Sequence, residues 1–97
     1  MSRLSDDERK RMFMLGHSEA RGVPGAMTED AWPKVVDAAV RILVVHRNAL
    51  YESDPQERRE NWIGWCEGRW TDFNGGGWVW YGLAGTVTHV APIEAAG

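Results

Sequence analysis

A single cysteine, Cys66, leaves the chain with no intramolecular disulfide. That suits a reducing compartment, and the expected setting is the cytoplasm. Long apolar runs are missing too. The longest strongly apolar run is residues 42–45, far short of the ~20 residues of a membrane-spanning helix. The opening Met-Ser-Arg-Leu-Ser-Asp-Asp has no apolar core of the signal-peptide kind. Excess positive charge is also absent. Eleven Lys and Arg against 14 Asp and Glu give a net charge of −3, which lacks the basic footprint that a duplex-DNA binder needs. Neither a membrane nor duplex DNA is an expected partner.

Catalytic and cofactor motifs are scarce in the same way. Gly75-Gly76-Gly77 is followed by neither the Lys-Ser/Thr of a phosphate-binding loop nor the spaced glycines of a dinucleotide fingerprint. His17, His46, His89 and Cys66 show no i, i+4 pairing and no Cys-x-x-Cys, so no metal is expected. Cys66 lies among tryptophans, where burial raises a thiol's pKa and leaves it inert. Glu57, Glu60 and Glu67 offer no spacing that marks an acid and a base. No cofactor and no enzymatic activity are expected. A small enzyme using His46 or His89 is the least supported alternative.

Charge itself thins out along the chain. Residues 61–97 hold one basic residue, Arg69, and three acids, against ten and eleven in residues 1–60. Eight of the eleven glycines lie in that last third, with five of the six tryptophans: Trp62, Trp65, Trp70, Trp78 and Trp80. A charged front thus meets an aromatic, glycine-rich back. Ninety-seven residues make one small domain, 1–97, with a loose tail expected at about 92–97.

Local patterns predict an α+β fold of three helices followed by a C-terminal β-hairpin. Ser5 and Glu8 are spaced as a capping box, with Asp6 and Asp7 at the positive end of the helix dipole. That helix runs into Met12-Phe13-Met14-Leu15, four apolar residues that imply cover on more than one side. Asp30 and Pro33 suit the start of a second helix reaching about Glu52, with Trp32, Val36, Ala39, Leu43 and Leu50 on one face. It is apolar round most of its circumference, which points to a central helix and a homo-oligomer. Asp54 and Pro55 open a third helix carrying Trp62, Ile63, Trp65, Cys66 and Trp70. Gly64 and Gly68 interrupt it. Asn74-Gly75-Gly76-Gly77 is a turn by composition. Trp78–Tyr81 and Thr86–Val90 read as strands, with Trp78 and Trp80 on one face.

Tryptophan, tyrosine and arginine dominate binding hot spots. Five indoles exceed what so small a core needs, because tryptophan is seldom fully enclosed. The expected function is therefore a non-enzymatic binding protein. Trp62, Trp65, Arg69, Trp70, Trp78, Trp80 and Tyr81 would dock on a protein partner and inhibit or modulate it. The small size and missing catalytic motifs suit an accessory protein of a phage or mobile element. The alternative is an oligomer that sequesters a small anionic, nucleotide-like ligand, stacking its base on indoles and taking its phosphate with arginine.

Overall fold

The computed structural model describes residues 4–93, so the expected tail lies outside the described residues from position 94 onward. One long helix, one short helix and a five-stranded antiparallel sheet make an α+β domain. This overturns the expectation of three helices followed by a hairpin. In chain order the elements are α1 (Asp6–Ala20), β1 (Met27–Thr28), β2 (Ala39–Val45), α2 (Pro55–Glu57), β3 (Ile63–Thr71), β4 (Gly77–Trp80) and β5 (Thr86–Ala91). The sheet order is β1-β5-β2-β3-β4, with every pair antiparallel.

The first helix starts as its sequence implies. The Glu8 N–H donates to the Ser5 hydroxyl, and the Ser5 N–H donates to the Glu8 carboxylate, each at 3.1 Å. Met12 and Ala20 are buried, while Phe13 and Met14 are exposed. The apolar run at the middle of α1 is therefore covered on one side only.

The expected second helix is a strand. Its beginning is a 3-10 turn at Glu29–Ala31, and its apolar centre is β2. Leu43 and Val45 pack on one side of the sheet; Val40, Ile42 and Val44 pack on the other. A strand buried on both faces is apolar at every position, which imitates a helix that is apolar all round. Branching at Cβ in Val40, Ile42, Val44 and Val45 tips the balance to the strand. Cover for β2 comes from the same chain, so this segment no longer argues for a second subunit.

The third helix survives as its first turn. The Asp54 carboxylate accepts from the N–H of Gln56 at 2.9 Å and of Glu57 at 3.5 Å, with Pro55 at the first helical position. A π-helical turn, Arg58–Trp62, follows, and the chain then enters β3. Gly64 and Gly68 are strand residues rather than helix interruptions.

The two expected strands form, but they do not pair with each other. β4 pairs with β3, and β5 pairs with β1 and β2. The glycine turn links β3 to β4. There Asn74, Gly75 and Gly76 adopt φ of 54°, 88° and 100° in succession, a run of left-handed backbone that favours glycine. A Cβ on Gly76 would also meet the Trp70 indole at 2.7 Å.

The sheet is covered unequally. α1 lies over Leu43, Val45 and Ile63, with Met12 and Ala20 at the contact. On the opposite side Val40, Ile42, Val44 and Val90 are covered by Trp32, Cys66, Trp78, Trp80 and Val87 instead of a helix. Among the described residues no helix is long and apolar enough to cross a membrane.

Candidate functional site

Strand alternation sends the aromatics of β3 through both sides of the sheet. Trp65 joins the core beneath α1, where the Arg41 guanidinium lies 5.7 Å from its ring. Trp62, at the end of the π-helical turn, packs on the same core and meets the His46 ring at 4.9 Å. Trp70 has the other parity. It meets Trp78 edge to face at 5.2 Å, and Trp78 and Trp80 lie over the core on the helix-free side. Arg69 is exposed and, one residue from Trp70 in an unbroken ladder, has the parity of Trp65. Tyr81, just past β4, is fully exposed.

The residues singled out in the sequence are thus divided. Trp70, Trp78 and Trp80 come together, and Tyr81 adjoins them. Trp62, Trp65 and Arg69 lie across the sheet. None of the six tryptophans is fully buried and none is fully exposed.

A polar framework that no sequence pattern signalled holds the indoles. The Trp78 Nε1–H donates to the Glu29 carboxylate at 3.1 Å. The Lys34 ammonium donates to the carbonyls of Glu29 and of Trp32, the latter at 3.0 Å. It also pairs with the Glu29 carboxylate at 3.6 Å. The same ammonium lies 5.5 Å from the Trp70 ring centroid and 5.7 Å from that of Trp78, within cation–π range of both. At the C-terminal end of β4, the Trp80 Nε1–H donates to the Leu83 carbonyl at 2.7 Å and pins the return of the chain.

Exposed apolar side chains lie on β4 and its flanking turns, with Val79, the partner of Arg69, on the face opposite Trp78 and Trp80. Phe73 is 75% exposed, Val79 51%, Tyr81 100% and Leu83 39%. Val35 and Val36 are exposed on the loop that pairs with Trp70. Val36, expected on the apolar face of a helix, is exposed on a loop instead, and nothing in the local pattern marks Phe73, Leu83 or Val35 as exposed.

The histidines and the cysteine have structural settings. His89 is 3% exposed, with its Nδ1 3.1 Å from the Thr88 hydroxyl and its ring 5.5 Å from that of Phe13. Desolvation lowers its pKa, and the nearby His17 lowers it further. The His46 Nδ1 accepts from the Asn48 N–H at 3.0 Å and caps the 3-10 turn Arg47–Leu50. Burial pushes the Cys66 thiol up, away from the reactive thiolate. Among the described residues no group of three or more His, Cys, Asp or Glu is placed to hold a metal.

No family model, curated protein or solved structure matches the chain. Fold and surface define it as a small α+β domain whose sheet is helix-covered on one side and aromatic on the other.

Proposed function

We propose that this chain is a non-enzymatic, cytoplasmic binding protein that docks on a partner protein through β4 and its flanking turns, and so inhibits or modulates that partner. One observation carries this reading: Phe73, Val79, Tyr81 and Leu83 are all exposed on one short edge strand and its two turns. Exposed apolar groups scattered singly are ordinary, whereas a cluster marks an interaction site. Tyrosine, phenylalanine and tryptophan are enriched at such interfaces.

A protein partner fits better than a nucleotide. Sites that stack bases combine aromatic side chains with positive charge for the phosphates. Arg69 lies across the sheet from Trp70, Trp78 and Trp80, and Lys34 is already engaged by Glu29 and two carbonyls.

The test separates surface from core. A partner recovered with the tagged chain from its source cells is identified and purified, and its affinity is measured. Val79→Asp and Tyr81→Ala should weaken it by more than about tenfold, as expected for central contacts. The melting temperature should stay within a few degrees, because both side chains are exposed. Wild-type affinity in both variants would overturn the reading.

A further inference from the structure

β3 is longer than its outer neighbour. It pairs with β2 from Ile63 to Arg69, whereas β4 covers only Gly68 to Thr71. Along residues 63–67 the outer edge of β3 therefore has no strand beside it among the described residues. Among the described residues no turn or loop backbone hydrogen bond reaches them either. Unpaired N–H and C=O groups on a strand edge are a template for one more strand.

The side chains beside this edge fit that use. Along this edge a cleft of about 400 Å³ is lined by residues 63–66 of β3, with Val44 and Leu83 and with Glu60 and Asn61 of the π-helical turn. A Cβ built on Gly64 meets nothing within 4 Å, so space is open above it. Leu83 is held in place through the bond from Trp80 to its carbonyl. Acidic groups stand at both ends of the open segment. Glu67 is exposed, and Glu60 accepts from the neutral Gln56 amide at 2.8 Å.

We infer that residues 63–67 form a strand-addition slot for an extended segment of the partner protein. The segment pairs with β3 in line with β4, sets one apolar side chain into the cleft over Gly64, and brings a Lys or Arg beside Glu60 or Glu67. Main-chain bonds supply affinity in this mode, and alternate side chains supply selectivity. Opposite charge at the rim favours the correct partner and speeds its encounter. This inference rests on the docking reading and names its mode. The added strand would lie next to Leu83 and the exposed Tyr81.

The test uses the whole chain, labelled with ¹⁵N, and a short end-blocked peptide alternating valine with lysine and threonine. Saturable shifts at residues 63–67 and Leu83, with slowed amide exchange along 63–67, are expected. Methylating alternate amide nitrogens of the peptide should weaken binding at least about tenfold, because it removes main-chain donors. Replacing its lysines by glutamates should weaken it as well. Gly64→Val should do so too, since its Cβ meets nothing within 4 Å and its methyl groups project into the cleft. Shifts confined to Phe73, Val79 and Tyr81 would overturn the slot and leave the docking surface standing. No shift at millimolar peptide would overturn the slot, while the Val79→Asp affinity measurement tests the docking surface separately. A chain that is dimeric without peptide, with residues 63–67 already protected, would place a second copy there and overturn the assignment.

Discussion

The indole N–H of Trp78 donates to the Glu29 carboxylate at 3.1 Å, joining two segments 49 residues apart. Glu29 also holds Lys34 at 3.6 Å, and Lys34 lies against the rings of Trp70 and Trp78. One carboxylate therefore ties the edge strand β4 to the loop that precedes β2. Glu29→Ala leaves the indole donor without its acceptor and takes the carboxylate from Lys34, which keeps only the Glu29 and Trp32 carbonyls. A loss of about 1–2 kcal/mol is expected for these part-buried, charge-assisted contacts. In a domain of this size each 1 kcal/mol lowers the melting temperature by roughly 4–8 °C. Glu29→Gln keeps an acceptor for Trp78 and should fall less far. Equal melting temperatures for Glu29→Ala and wild type would show that the carboxylate holds nothing.

Two glycines on the same side of β3 should respond to substitution with opposite sign. A Cβ on Gly68 would come within 2.6 Å of the Ile42 Cδ1 and 3.1 Å of the Val79 carbonyl oxygen. Gly68→Ala overpacks the centre of the sheet and should cost about 1–3 kcal/mol. A Cβ on Gly64 meets nothing. Gly64→Ala should gain up to about 1 kcal/mol, because alanine loses less backbone freedom in a strand. Urea denaturation of both variants checks the signs directly.

Those glycines also show where sequence patterns stopped being informative. Local signals carried through well: the Ser5–Glu8 capping box, the Asp54–Pro55 helix start and the 74–76 turn all stand where composition placed them. Each depends on neighbours within three or four residues. The segments around Leu43 and Trp65 depend instead on what covers them from afar. β2 is apolar on both faces, so the period of two that would mark a strand is erased. β3 begins straight after a helical turn, and its glycines make room for Ile42 and for open space rather than breaking a helix. The tryptophans stand out as a group in the sequence, but their division between the two faces follows from strand parity, which a helical period of 3.6 does not reproduce. Glu29 and Lys34 carry no local mark because the indoles they hold, Trp70 and Trp78, lie across the fold.

The start of α1 should lose stability in a defined acid window. The Ser5 backbone N–H, and next the Arg47 side chain, hold the Glu8 carboxyl down at about 2, against an ordinary value of 4.5. The Arg47 Nε donates to it at 3.0 Å. A lowered carboxyl pKa means that the unfolded chain takes up the proton first as pH falls. The contribution of Glu8 is therefore complete above 4.5 and is lost as pH falls from 4.5 toward 2. Glu8→Gln should be less stable than wild type at pH 6, and the gap should close on approach to pH 2. A gap that stays constant across that range would contradict this account.

His89 acts in a higher window. Its ring is enclosed by α1 and β5, with Phe13 at 5.5 Å and His17 at 6.1 Å, and its Nε2 is buried with no partner among the described residues. Desolvation first, and the neighbouring His17 second, lower its pKa below the ordinary 6.5. For a base this means that the folded state resists a proton that the unfolded chain accepts. Well above 6.5 neither state is protonated, and His89 adds no pH dependence. As pH falls below 6.5 the unfolded chain binds the proton first, so stability declines until the folded ring protonates as well. Denaturant midpoints measured from pH 8 to pH 5 should therefore fall with acidity in the wild type. His89→Gln cannot take up the proton, and its curve should be flatter over that range whatever its absolute stability. His17→Gln removes the second cause while leaving the first, and should reduce the slope only in part. Parallel curves for wild type and His89→Gln would mean that the buried ring is not what couples this fold to pH.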